Sequence, residues 1–326
     1  MVKKKEWLKI QALYSLMIFL FFSYPIFPLD PDKAIKQYVH RIWTTDNGLP
    51  QNTITAIVQT EDAYLWFGTQ EGLVRFNGTK FKIFNRLNTP EIPVSSISVL
   101  TRGHDGTLWL GTTGGGLLRY RSGLEDAKFT HFDSLPTLAN AFVTCIYESQ
   151  KNDLWIGTAN SGVFIKRGET IQPVPEVSIV SKQINSIAEN SFGQILIGSN
   201  NGLITLTSLA DRKIQAELSL GSHPVISIRK RASGAVWIGS NGNGAYRLFR
   251  GQFQHFTSAS GLPNNHVLAI YEDSDQNLWL GSRRGISRFE SGRFETFSVK
   301  EGLSNAIISQ FYEDREGSLW VSTSYG

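Results

Sequence analysis

Residues 48–85 read GLPQNTITAIVQTEDAYLWFGTQEGLVRFNGTKFKIFN, and the pentapeptide LWFGT around Trp66 decides the fold because it recurs along the chain. The further copies are LWLGT at Trp109, LWIGT at Trp155, ILIGS at Leu196, VWIGS at Trp237, LWLGS at Trp279 and LWVST at Trp320. Successive copies are 43, 46, 41, 41, 42 and 41 residues apart. A period this regular and of this length is typical of propeller or solenoid repeats.

Each repeat divides into four short segments with strand character. In the first repeat, NTITAIVQT alternates apolar and polar residues, and YLWFGT follows a polar turn. A second turn leads to LVRF, and the Asn77-Gly78 pair leads to FKIFN. We therefore predict an all-β fold, a seven-bladed β-propeller of four-stranded antiparallel blades, over residues 36–326. The last repeat ends at VSTSYG after two strands, so we expect an incomplete last blade and a longer polypeptide that continues beyond Gly326.

Glycine and tryptophan recur at fixed places that a propeller explains structurally. One glycine family follows the second strand, where a tight turn needs positive φ: Gly72, Gly116, Gly162, Gly202, Gly244 and Gly285. A second family lies within that strand, where a neighbouring backbone approaches closely: Gly68, Gly111, Gly157, Gly198, Gly239 and Gly281. We interpret the repeated Trp residues as packing between blades and not as a ligand platform.

The N-terminal region predicts two features outside the repeats. Residues 1–28 combine a lysine-rich start with an apolar stretch, which is typical of a secretory signal peptide or, if uncleaved, an N-terminal membrane anchor. Trp43 precedes Gly48 by five residues, as Phe256 precedes Gly261 in a later fourth strand. Residues 38–45 are therefore predicted to form an outer strand that closes the ring.

Composition excludes several function classes. The 326 residues are 41% hydrophobic, and the net charge is +4, most of which the N-terminal lysines supply, so nucleic-acid binding gains no support. Cys145, the only cysteine, lies in an apolar run and is interpreted as a small buried hydrophobe. The six histidines lack ligand spacing and no phosphate loop is present, so we predict neither a metal nor a cofactor.

The repeats resemble the two-component regulator propeller family, whose pattern is approximately G-L-x-x-N-x-V, an acidic turn, L-W-I-G-T, G-L-x-R-F and F-x-x-F. Residues 48–85 and the stretch GLPNNHVLAIYEDSDQNLWLGSRRGISRFESGRFETF from Gly261 carry nearly the whole pattern. The resemblance implies a periplasmic or other extracytoplasmic sensor of a histidine kinase or diguanylate cyclase in the inner membrane. It also implies signal transduction through output domains that this chain lacks, and a possible homodimer.

We expect a non-catalytic ligand-sensing ring that binds a small molecule or an oligosaccharide. The predicted contacts are polar residues in the turns after strand two and in the loops between blades: Asn52, Gln70, Glu71, Asn160, Asn200, Asn241, Asn243, Asn264, Asn265, Arg283 and Arg284. Turn chemistry alone would also explain these residues. A glycoside hydrolase or lyase of Asp-box propeller type is one alternative, suggested by turns such as the one at Asp314, and a protein-interaction propeller is another.

Overall fold

The computed structural model describes residues 40–122, 128–208, 213–217, 220 and 223–325. The predicted signal or anchor segment lies outside these residues. Within them, no helix has the length and apolar character needed to cross a membrane.

The described chain folds into seven antiparallel sheets in sequence order, which confirms the predicted propeller of seven blades. The first three blades contain β1 Ala56–Gln59, β2 Leu65–Thr69, β3 Gly72–Phe76 and β4 Phe81–Phe84; β5 Ile97–Arg102, β6 Leu108–Thr112, β7 Leu117–Arg121 and β8 Lys128–His131; and β9 Val143–Glu148, β10 Leu154–Thr158, β11 Val163–Arg167 and β12 Thr170–Pro173. The next three contain β13 Ile184–Glu189, β14 Ile195–Ser199, β15 Gly202–Ser208 and β16 Lys213–Glu217; β17 Val225–Lys230, β18 Val236–Ser240, β19 Ala245–Phe249 and β20 Gln252–Phe256; and β21 Val267–Glu272, β22 Leu278–Ser282, β23 Gly285–Glu290 and β24 Arg293–Phe297. Blade seven has only β25 Ile308–Glu313 and β26 Leu319–Thr323, as the sequence predicts.

The first strand of every blade faces the centre of the ring. Each of these inner strands contacts the inner strand of the next blade, and β25 returns to β1. Two short helices, Pro136–Ala139 and Pro175–Val180, precede blades three and four. The ring therefore closes on its inner strands, although blade seven has two strands among the described residues.

Tryptophan packs between blades as predicted. Trp66, Trp155, Trp237 and Trp279 are at most 1% exposed, and Leu196 replaces the ring in blade four at the same burial. Each indole buries about 150–250 Å² of largely apolar surface. Trp320 is only partly buried, because blade seven lacks outer strands to cover it.

The glycines within the second strands are required by the neighbouring blade. A Cβ on Gly281 would lie 2.7 Å from Ile308 Cγ2, and one on Gly157 would lie 2.7 Å from Ile184 Cγ2. Real side chains do not approach this closely, so these positions exclude even alanine unless the blades separate. Blade seven carries Ser322 here, and its hydroxyl donates to the carbonyl of Ile54 in blade one.

The segment before β1 repeats the turn that follows the fourth strand in blades five and six. A 3₁₀ turn at Thr45–Asn47 has Thr44 as its N-cap and Gly48 at φ 101°, and the turns at Ser258–Ser260 and Val299–Glu301 have the same capping box and left-handed glycine. Residues 40–44 themselves form no strand. An outer strand needs a third strand as its hydrogen-bonding partner, and the described part of blade seven has none, so the ring-closing role of residues 38–45 stays a prediction.

Candidate functional site

The propeller presents two faces to solvent. We call the face with the turns between strands two and three, such as Gln70–Glu71, and the loops between blades, such as Asn264–Asn265, the 2–3 face. The opposite 1–2 face carries the turns between strands one and two, such as residues 60–64. The inner strands run from the 2–3 face to the 1–2 face around a central channel.

A repeated hydrogen bond fixes the inner strands on the 1–2 face. The last residue of an inner strand accepts a backbone N–H from the turn of the preceding blade. The pairs are His104 N to Glu148 Oε2 (2.6 Å), Gln150 N to Glu189 Oε2 (2.9 Å), Ala232 N to Glu272 Oε2 (2.7 Å), Ser274 N to Glu313 Oε2 (2.7 Å) and Arg315 N to Gln59 Oε1 (2.9 Å). We call these bonds the inter-blade latches. Between blades one and two, an ion pair of Arg102 with Glu61 (2.5 Å) takes their place.

The channel contains a cavity of about 720 Å³. Its wall runs the length of the inner strands, from Asn185 and Ser309 near the 2–3 face to Arg102, Tyr271 and Tyr312 near the 1–2 face. A volume of this size fits a small organic ligand. No aspartate or glutamate occurs among the described residues that line it, whereas Arg102, Arg229 and His104 do.

Arg229 is the cation most available within the channel. Its side chain is exposed, and its guanidinium carbon lies 5.0 Å from the centroid of the Tyr271 ring. It makes no ion pair with any described residue, whereas Arg102 is bound to Glu61. Cation–π contact uses the flat face of the guanidinium and leaves its N–H groups directed outward in the plane.

Three tyrosines occupy one register position, eight residues before the repeat Trp. Burial raises the pKa of Tyr147, Tyr271 and Tyr312, and nearby carboxylates add to the shift at Tyr147 and Tyr271. The Tyr271 hydroxyl accepts the N–H of Glu313 at 3.2 Å. The hydroxyls therefore stay protonated at neutral pH, and each retains an O–H that can donate to a ligand.

The eleven residues predicted from the sequence lie on the 2–3 face, and none of them lines the channel cavity. Asn52 accepts the N–H of Thr45 at 2.7 Å, and Asn265 accepts that of Ser258 at 2.7 Å in the equivalent turn. Asn264 accepts the N–H of His266 at 2.8 Å. These three asparagines thus make the turn hydrogen bonds that the sequence also allowed.

Further side chains of this set bind neighbouring turns. Gln70 accepts from Gln51 Nε2 at 3.3 Å, and Asn200 accepts from Asn185 Nδ2 at 3.0 Å. Asn243 donates to the Tyr246 hydroxyl. Such bonds hold the rim of the 2–3 face in shape.

Asn241 pairs with His266 across a blade boundary: Asn241 Oδ1 lies 2.5 Å from His266 Nδ1. The remaining members of the predicted set are exposed: Glu71, Asn160, Arg283 and Arg284. The structure brings the eleven residues to one face but not to one pocket, and their role in binding stays a prediction.

The repeat pattern in the sequence did not reveal the channel residues, because the blades differ in the residue that occupies this position of the inner strand. Blade five has Arg229 where blades six and seven have Tyr271 and Tyr312, and blade four has Ala188. An alignment of the repeats on their Trp positions would place these residues in one inward-facing ring. A polar or charged residue eight positions before a buried Trp is the sequence feature that would identify them.

The acidic turns that suggested an Asp-box enzyme have local partners. Asp273 Oδ2 accepts from Trp279 Nε1, and Asp314 Oδ2 accepts from Trp320 Nε1, both at 2.7 Å. Backbone N–H groups of the same turns bind the Oδ1 atoms. These two carboxylates therefore anchor the repeat Trp. The described part of the chain also contains no group of three or more His, Cys, Asp or Glu side chains that could hold a metal ion.

Three segments of the chain match the family model described as "Two component regulator propeller": residues 137–160, 261–284 and 302–325. Among curated proteins, the chain is 25% identical over 270 residues to Histidine kinase P4 of Formosa agariphila, a match that covers 74% of this chain and 19% of that protein. The chain therefore spans about a fifth of the length of this curated relative.

Solved structures with the same fold include an extracellular domain of a two component system and a lyase. The extracellular domain of a putative hybrid two component system from B. thetaiotaomicron superposes with a TM-score of 0.77 at 23% identity, covering 88% of this chain and 40% of that one. A streptogramin B lyase superposes with a TM-score of 0.68 at 16% identity, covering 85% of this chain and 93% of that one. At these identities the likeness establishes the propeller fold.

Proposed function

We propose that this chain, which belongs by its repeats to the two-component regulator propellers, is the extracytoplasmic ligand-binding part of a bacterial receptor and catalyses nothing itself. The repeat match is the observation that carries the proposal. The curated relative is a histidine kinase, which favours a kinase over a diguanylate cyclase as the output of the whole receptor. Two matching solved structures are extracellular domains, which supports a location outside the cytoplasm.

The central channel is the proposed binding site. It offers a cavity of about 720 Å³ whose lining combines apolar residues, such as Ile228 and Phe311, with polar groups that supply the larger part of its surface. Polar groups in a concave site orient a ligand, and a mainly polar lining favours a polar ligand. The polar rim of the 2–3 face surrounds one end of the channel and supplies contacts for a ligand that extends out of it.

Thermal-shift screening of the chain against a panel of neutral, basic and acidic mono- and oligosaccharides and metabolites tests the proposal. A ligand that binds only the folded ring raises its melting temperature, by about 2.7 kcal/mol of added stability at a hundredfold excess over Kd. One ligand class that raises the melting temperature supports the proposal. A folded ring that no compound stabilises contradicts it and favours a protein partner.

A channel-filling substitution locates the site. Ser227 lines the cavity on β17, and Ser227→Tyr places a ring inside the channel. Gln254→Tyr adds the same ring to the exposed outer strand β20 of the same blade and serves as the matched control. Loss of the shift in the first variant alone places the ligand in the channel, whereas equal shifts in both variants place it elsewhere.

A further inference from the structure

We propose that the ligand of the channel is a small organic anion, whose carboxylate or sulfate group is bound by Arg229 with help from the hydroxyls of Tyr271 and Tyr312. The inference rests on the proposed function, since it gives the chemical class of the ligand that the channel takes. It also places the anionic group at the 1–2 end of the channel, away from the predicted asparagine rim.

The first argument is the charge of the cavity wall. Arg102 and Arg229 line it, and none of the described lining residues is a carboxylate. Arg102 is paired with Glu61, which lies outside the lining, so Arg229 supplies the positive charge that no ion pair with a described residue offsets. The glutamates that end the inner strands do not line the cavity, because the inter-blade latches hold Glu148, Glu189 and Glu313 against turn amides. Arg229 therefore gives its part of the channel a positive potential, which attracts an anion.

The second argument is that Arg229 lacks an anionic partner. Each other arginine that ends or nearly ends an inner strand has one: Arg102 pairs with Glu61, and Arg231, just past the end of β17, pairs with Glu272 at 2.8 Å. Arg229 has only the Tyr271 ring, which orients the guanidinium without neutralising it. A guanidinium with free N–H groups binds a carboxylate or sulfate through two parallel hydrogen bonds.

The third argument is the supply of neutral donors beside this cation. Tyr271 in blade six and Tyr312 in blade seven occupy the same register position, and Arg229 occupies this position in blade five. Their hydroxyl oxygens already accept main-chain N–H groups of the following blade, so the O–H bonds are what remain for a ligand. A wall that offers donors from three neighbouring blades selects an acceptor-rich group.

Calorimetric titration of the chain with D-glucuronate, D-glucose and inorganic sulfate tests the inference. Glucuronate and glucose share the same ring, and only the former carries a carboxylate, while sulfate separates an anion site from a sugar site. We expect binding of glucuronate or sulfate, weaker binding of glucose, and loss of affinity when salt rises from about 0.02 M to about 0.2 M.

Three variants assign the effect to Arg229. Arg229→Gln is expected to weaken anion binding by about tenfold or more, because a charge-assisted bidentate contact is lost. Arg229→Lys keeps the charge and should retain part of the affinity. Arg293→Gln removes an equally exposed arginine from the outer strand β24 and should change nothing. Circular dichroism checks that all three remain folded.

Three results would each overturn the inference. The chain could bind glucose and glucuronate equally well, it could bind neither anion, or Arg229→Gln could leave the affinity for the anion unchanged. The proposed function fails separately. If a neutral compound of the thermal-shift panel stabilises the ring and Ser227→Tyr abolishes the effect, the channel is a ligand site of another chemistry. If no compound of any charge stabilises the folded ring, both proposals are wrong.

Discussion

Removing the carboxylate of Asp273 should destabilise the ring through the repeat Trp. Asp273 is 4% exposed, and its Oδ2 accepts from the buried Trp279 Nε1 at 2.7 Å and from Asn277 Nδ2 at 2.9 Å. Its Oδ1 accepts the N–H of Asn277 at 2.7 Å. Asp273→Ala removes this acceptor from the indole N–H, and water does not reach the ring because Trp279 is 1% exposed.

A buried donor left without a partner costs about 1–3 kcal/mol, and bonds to a charged acceptor lie at the upper end of this range. Asn277 is 8% exposed, and its backbone N–H and side-chain amide also lose their bonds to Asp273, so we expect a total of about 2–4 kcal/mol. For a domain of this size that corresponds to a fall in melting temperature of roughly 5–10 °C. Scanning calorimetry of the wild type and the variant measures it directly.

Two further variants control for charge and for burial. Asp275→Ala removes the same charge from the same turn, but Asp275 is exposed, so we expect a change within about 0.5 kcal/mol. Asp314→Ala removes the same bond from Trp320, which is only partly buried, and should cost less than Asp273→Ala. If Asp273→Ala were no less stable than Asp275→Ala, the anchoring role of these turns would be refuted.

Three other predictions concern the blade boundaries. Gly281→Ala places a Cβ 2.7 Å from Ile308 Cγ2 and should cost about 1–3 kcal/mol in urea unfolding; an unchanged midpoint would mean that blades six and seven separate easily. Glu313→Ala breaks an inter-blade latch and should lower the free energy of unfolding by about 1–3 kcal/mol, whereas Glu316→Ala, on the exposed turn beside it, should leave it unchanged. If the two variants were equally stable, the latch would contribute nothing to the stability of the ring. Burial raises the pKa of Cys145 to about 12, so its thiolate is scarce at pH 8 and iodoacetamide should label it only after unfolding; rapid labelling of the folded ring would contradict this.

The fold was predictable because the same residue types recur at the same places. Trp or its replacement Leu196 marks the second strand seven times, and in the structure each of these residues lies between blades. The glycine that follows has positive φ in the structure, for example 118° at Gly285. Repetition turns a weak local preference into a strong signal, since one period has to explain all copies at once.

The candidate site was not predictable in the same way, because binding groups differ between blades by necessity. A ligand has no sevenfold symmetry, so Arg229, Tyr271 and Ala188 share a register position while offering a cation, a hydroxyl and nothing polar. A search for repeated residues does not detect positions that differ from blade to blade, and it selects the asparagines that recur in the turns instead. Asn52 and Asn265 illustrate this, because their regularity follows from the turn that both of them close.

Ring closure shows how a two-stranded blade holds its place among four-stranded ones. Outer strands contribute burial: Trp320 is only partly buried, and the described part of blade seven has no outer strand. The hydrogen bonds between blades seven and one come from the inner two strands. Gln310 accepts the N–H of Ile57 at 2.8 Å, and Ser322, where other blades have glycine, donates to the Ile54 carbonyl. Trp320 also packs against Phe67 and Phe76 of blade one, so this boundary combines aromatic and polar contacts. Because the described part of blade seven has two strands, it is the boundary at which the ring should open first under stress.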